Sequence, residues 1–125
     1  MRIEVSNGEI VDKATILAIK LAHLEDHSRR ANVERELAVL DQALSKMGVT
    51  SQSPGYRRLL EINQTLWDIE DAIRGKEARK EFDDEFIELA RSVYVQNDAR
   101  ARAKREINLS THSELIEEKE YTDYT

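Results

Sequence analysis

The run SPGYRRLLEINQTLWDIEDAIRGKEAR, from Ser53 to Arg79, reads as one long amphipathic helix. Leu59, Ile62, Leu66, Ile69 and Ile73 recur at alternating spacings of three and four, which stacks them in a single stripe along a helical surface. Ser53 is an N-cap residue, and Pro54 follows at the first helical position, where its missing N–H costs no hydrogen bond. Gly75 weakens the last turns by about 1 kcal/mol relative to Ala. Lys76 to Arg79 are good helix formers, so the element should reach about Arg79.

The same spacing repeats on both sides. Upstream, Val33, Leu37, Leu40, Leu44 and Met47 form a stripe that begins after a break at His27 and Ser28 and stops at Gly48, placed for a left-handed C-terminal cap. Before it, Ser6 and Glu9 form an S-x-x-E capping box that starts a helix from Asn7 to about Asp26, with Ile10, Ala14, Leu17, Leu21 and Leu24 on its seam. Ile16 and Ile19 fall on the opposite side of that helix, beside Asp12 and His23, and need a cover of their own. Downstream, Asp83, Asp84 and Glu85 put negative charge at a helix start, and the helix should run to about Leu109. Its seam opens with Phe86, Leu89 and Val93, then continues in phase as Gln96, Arg100, Ala103 and Ile107, turning polar halfway. Met1 to Val5 and Leu115 to Tyr124 read as short extended ends able to pair with each other. The expected fold is all-α, an antiparallel bundle of four main helices in two hairpins. It should be one domain over residues 1–125, in which 109–125 is an acidic tail.

Composition agrees with that architecture and narrows the function. A chain of 125 residues with 35% charged side chains, one Pro and four Gly suits long solvated helices better than a turn-rich sandwich. The absence of Cys removes disulfides, thiol nucleophiles and thiolate metal sites, and is compatible with a cytoplasmic protein. No apolar run approaches the roughly 20 residues that span a bilayer, so no membrane association is expected. The net charge is −6, and residues 109–125 carry one Lys against five Asp or Glu. An acidic chain repels a phosphate backbone, so no nucleic-acid partner is expected. Arg100, Arg102, Lys104 and Arg105 form the one basic stretch. At a helix C-terminus they complement the macrodipole, and they could also receive the acidic tail Glu114 to Asp123.

The densest polar constellation lies on helices three and four: Asn63, Asp68, Glu70 and Asp71 on one, Tyr94, Asn97, Asp98, Arg100 and Lys104 on the other. In an antiparallel hairpin that turns near residue 81, these groups lie level. They form either a ligand pocket, with Arg100 and Lys104 for an anion, or an ion-pair network that sets helix register. No metal is expected: the helices carry no E-x-x-H motif, and a helix end should separate His23 from His27. No cofactor is expected either, since Gly8, Gly48, Gly55 and Gly75 stand alone and make no phosphate loop. Ile16 and Ile19 on one helix, with Leu60 and Trp67 on another, offer apolar area beyond the main seams and are candidates for an interface between copies, a dimer being the simplest closed form.

Four strings read together: Ile3-Glu4-Val5-Ser6-Asn7-Gly8-Glu9-Ile10-Val11-Asp12-Lys13, Leu66-Trp67-Asp68-Ile69-Glu70-Asp71 with Lys76-Glu77, Glu85-Phe86-Ile87-Glu88-Leu89-Ala90-Arg91-Ser92-Val93-Tyr94 with Asn97-Asp98, and Glu117-Glu118-Lys119-x-Tyr121. As a set the chain resembles a family of small uncharacterised bacterial and phage proteins classed as a domain of unknown function. The resemblance implies a unit of this length and supplies no activity or catalytic residue. For a pocket, the resemblance also implies a neighbourhood of surface-polysaccharide or glycosyl-transfer genes, and so a sugar phosphate as one candidate ligand. On the residues themselves, the preferred expectation is a non-enzymatic interaction or scaffold protein acting as a homo-oligomer or adaptor. The alternative is a small enzyme or ligand-binding protein for an anionic metabolite, using the cluster between helices three and four.

Overall fold

A computed structural model describes residues 1–125 and contains four helices: α1 (Asn7–His23), α2 (His27–Lys46), α3 (Pro54–Ala78) and α4 (Asp84–Ser110). Ser6 caps α1 by accepting from the Glu9 N–H at 3.2 Å. The Glu9 carboxylate does not close the box; it turns instead to Lys104 of α4 at 2.6 Å. The first helix ends three residues before the expected Asp26, because Asp26 is the N-cap of α2 and accepts from the Arg29 N–H at 2.9 Å. Arg30 reaches back to the carbonyls of Leu21 and Leu24 and satisfies the end of α1.

Three helices end in the same way. In each, the residue after the C-cap takes a left-handed conformation, and the N–H that follows it turns back onto a carbonyl of the last turn. Gly48 (φ 73°) does this after α2, with Val49 N–H on the Leu44 carbonyl at 3.0 Å. Lys80 (φ 55°) does it after α3 and His112 (φ 54°) after α4, with Glu81 N–H on Lys76 O and Ser113 N–H on Asn108 O, both at 2.9 Å.

α1 is the middle layer. α2 packs along one side of it and the α3–α4 hairpin along the other, and α2 meets the hairpin only through side chains such as Leu44. The core joins Val11 and Ala14 of α1 to Leu44 of α2, Tyr56, Leu59, Ile62 and Leu66 of α3, and Ala103 and Ile107 of α4. The second face of α1 is therefore covered within one chain: Ile19 is buried, as are Asp12 and Thr15 beside it. Ile16, expected with Ile19 at an interface between copies, is half-buried beside it, and both side chains face α3 and α4 across a shared cavity. Helices α1 and α4 approach so closely at Gly8 that a Cβ there would lie 2.4 Å from the Lys104 carbonyl oxygen.

Neither chain end is a strand. The two ends do meet, through side chains: Asn7 N–H donates to Ser113 Oγ and Asn7 Nδ2 to Thr111 Oγ1, both at 2.9 Å. Gly8 N–H donates to Asn108 Oδ1 at 2.6 Å. These groups satisfy the free N–H groups at the start of α1, so no strand ladder is needed to join the ends.

Candidate functional site between α1, α3 and α4

The polar half of the α4 seam finds its partners on α1. Asp12 is 1% exposed, and its carboxylate accepts from Arg100 through Nε at 2.9 Å and Nη2 at 2.5 Å, and from Asn63 Nδ2 at 2.9 Å. Asn63 also donates to Thr15 Oγ1 at 2.9 Å, whose hydroxyl donates to the Asp12 carbonyl at 2.7 Å. A buried carboxylate is tolerated only when paired and hydrogen-bonded in this way. Arg100 is thereby fixed in place: two of its five N–H donors go to Asp12, leaving three without a hydrogen bond in the chain.

Two adjoining cavities share Arg100 and Asn97 as lining residues. The first, about 230 Å³, lies between α1, α3 and α4; Ile16, Ile19, Leu66 and Trp67 give it an apolar wall, and Lys20, Asn63 and Glu70 stand at its edge. The Trp67 indole stacks on His23 with ring centroids 4.5 Å apart. Its N–H is buried and makes no hydrogen bond within the chain. The second cavity, about 570 Å³, runs between α4 and the tail and is lined by Lys104, Arg105 and Lys119 with Glu117, Glu118 and Tyr121.

Lys104 holds Glu9 at 2.6 Å and Glu117 at 3.5 Å. Burial pulls its pKa down, but the bond to Glu9 and the charges of Glu9, Asp12 and Glu117 outweigh that and leave it above the ordinary lysine value, so it stays cationic. Arg105 pairs with Glu118 at 3.0 Å, and the tail's Lys119 reaches the buried Asp98 at 2.6 Å. Tyr124 also donates to Asp98, at 2.9 Å, and its ring meets Tyr94 edge-on. The basic end of α4 does receive the acidic tail, and it does so within the chain.

Of the residues singled out from sequence, Asn63, Glu70, Asn97, Arg100 and Lys104 line these cavities, joined by Ile16, Ile19 and Trp67. Asp68 and Asp71 do not. Both are exposed, Asp68 bonded to Gln64 and Asp71 facing Arg74. Tyr94 and Asp98 belong to the tail's docking surface, and Leu60 lies in a separate open groove between α1 and α3. The cluster was expected between helices three and four alone; its centre is Asp12 of α1, which that reading left out. The signal was a carboxylate on the same side of α1 as Ile16 and Ile19. Outside the site, Lys76 is buried under the α3–α4 turn against Glu81, Asp83 and Glu85, at 2.8 to 3.4 Å. No group of three or more His, Asp or Glu side chains converges as metal ligands would.

The chain belongs to a family of unknown function, DUF6165, whose model matches residues 1–124. No curated protein and no solved structure gives a significant match.

Proposed function

We propose that this member of a family without an assigned activity is a non-enzymatic binding protein of the cytoplasm that takes a small anion carrying an apolar body. The observation that carries the reading is the junction at Arg100 and Asn97, where an apolar cavity walled by Ile16, Ile19, Leu66 and Trp67 meets a cleft lined by Lys104 and Arg105. Such a site holds the body of a ligand by apolar burial and orients it with a few fixed polar groups. Arg100 is held by a buried carboxylate before any ligand arrives, so little side-chain entropy is lost on binding. Asn97 makes no side-chain hydrogen bond within the chain and is free to serve the ligand. A sugar phosphate or an aromatic phosphate has the required chemistry.

The chain contains one Trp, so Trp67 emission reports on the site directly. 1-Naphthyl phosphate is expected to shift that emission saturably. Asn97→Phe, which fills the junction, should abolish the response while the helical circular dichroism stays intact. Unchanged emission up to about 1 mM ligand, where binding is worth only about 4 kcal/mol, would overturn the reading.

A second reading, a homo-oligomer or adaptor, draws on a different surface from the one expected. Phe82, Ile87, Tyr94 and Val95 are exposed at the α3–α4 turn and along the first half of α4, with Ile87 and Tyr94 seven residues apart on one side of the helix. The occupant this favours is a second copy of the chain, because a two-fold contact pairs one such stripe with itself.

A further inference from the structure

We infer that the acidic tail, residues 114–125, is a displaceable strap whose carboxylates stand in for the anionic group of the ligand at the cationic end of this site. The inference rests on the binding reading above. Glu117 and Glu118 sit on Lys104 and Arg105, the two cations of α4 that an anion entering the cleft would meet beside Arg100. Glu117 is also held by Ser6 Oγ, which donates to it at 2.9 Å, so one tail residue bridges the start of α1 and the basic end of α4.

The tail is fastened in a way that permits release. It has no helix or strand hydrogen bonding of its own, and Leu115, Ile116, Tyr121 and Tyr124 all remain more than a third exposed although the tail lies against α4. Apolar burial therefore contributes little to docking. What remains is a set of ion pairs and ring contacts: at the surface Glu118 on Arg105 and Arg102 over the Tyr121 ring at 4.4 Å, and one anchor on the buried Asp98, which Lys119 and Tyr124 share. The surface contacts are worth little in water, and segments held mainly by such contacts are the ones that open first. The hinge is defined. His112 takes the left-handed conformation that ends α4, and Ser113 is pinned by the Asn7 N–H, so everything beyond Ser113 can swing while the bundle stays closed. A ligand phosphate has more charge than one carboxylate and can displace Glu117 and Glu118 from their cations. Loss of those two anchors leaves Lys119 and Tyr124 to hold the strap alone.

The test uses the full chain and two readouts. Cleavage after Lys119 by a lysine-specific protease, followed by intact mass, measures release of the strap. Trp67 emission with 1-naphthyl phosphate measures the site. Inorganic pyrophosphate is expected to accelerate cleavage after Lys119 several-fold at matched ionic strength. Glu117→Gln/Glu118→Gln should already be cleaved at the faster rate and should bind 1-naphthyl phosphate several-fold more tightly. Sodium chloride of the same ionic strength producing the same acceleration would reduce the effect to screening and overturn the strap, as would a double variant that binds no more tightly. If naphthyl phosphate shifts Trp67 while pyrophosphate leaves cleavage unchanged, the strap falls and the binding reading stands. If pyrophosphate releases the tail while Trp67 never responds, the strap stands and the binding reading falls.

Discussion

Asp12 is the residue on which the site turns, and its pairing with Arg100 is unequal. The Arg100 side chain is 30% exposed and can swing toward water if its partner is lost, whereas the Asp12 side chain, 1% exposed, has nowhere to go. Removing the cation strands a buried carboxylate; removing the carboxylate strands a group that can rehydrate. Arg100→Met is therefore expected to cost about 3–5 kcal/mol, the range for breaking a buried pair from one side. Asp12→Asn, which keeps an acceptor for Asn63 and Arg100, should cost only about 1–2 kcal/mol, the net worth of a few hydrogen bonds. Urea unfolding of the two variants decides this, and equal costs would mean that Asp12 reaches solvent in the native protein. The position was legible only in hindsight. A single Asp in phase with Ile16 and Ile19 marks a buried polar group, but the Arg100 and Asn63 that satisfy it lie 88 and 51 residues away, and no local pattern announces such partners.

At the scale of elements, starts were easier to read than ends. Ser6, Pro54 and the Asp83-Asp84-Glu85 run place three helix starts correctly because caps, proline and charge act locally. Gly48 marks the end of α2 for the same reason. Lys80 and His112 adopt the same left-handed conformation without being glycine, so those two caps carry no sequence mark. Ser53 sits at the N-cap position of α3, yet its hydroxyl accepts from the Thr50 N–H in the preceding loop at 2.9 Å and caps nothing in the helix. The tail misled for another reason. Alternation in Leu115 to Tyr124 suggests a strand, while its ion pairs with α4 decide its path, and those depend on tertiary placement. They also give it a pH window. Hydrogen bonds from Lys119 and Tyr124 hold the Asp98 carboxyl below its usual range, so its contribution to docking is present above about pH 4 and lost as pH falls through the lowered value. The hydrogen bond to Asp98, with burial, pushes the Tyr124 phenol above its usual value of about 10, so its contribution is present below that pH and lost as pH rises through the raised value. Backbone order parameters of residues 114–125 should be high near neutrality and drop at both extremes, and order that persists after the Asp98 carboxyl has been protonated, read from its own carbon shift, would show that Asp98 does not hold the tail.

The whole molecule is asymmetric in how its helices are covered. α1 is enclosed by α2 and by the α3–α4 hairpin, and the helix most in need of a partner on sequence grounds is the one the fold serves best. The cost falls at the far end of the hairpin. α3 and α4 are the longest helices, and α4 alternates between faces along its length: its second half buries Ala103 and Ile107 against the core, while its first half leaves Ile87 and Val95 in water near Phe82 of the turn, with Tyr94 covered on one edge by Tyr124 of the tail. The Lys76 ammonium and its three carboxylates keep that turn folded without an apolar core, so the hairpin end can stand out with its apolar side chains free. A second copy laid antiparallel along this stripe would cover Ile87 and Tyr94 from both chains. Light scattering at high micromolar concentration is expected to give about twice the 14.4 kDa chain mass, as a two-fold dimer requires. Ile87→Glu should return it to the monomer with its helical content unchanged, whereas Ile19→Glu, which puts a charge into the covered face of α1, should unfold the chain. Monomer mass for the unaltered protein, or a dimer insensitive to Ile87→Glu, would remove the hairpin stripe as an interface and leave the ligand site and its strap as the working parts of the molecule.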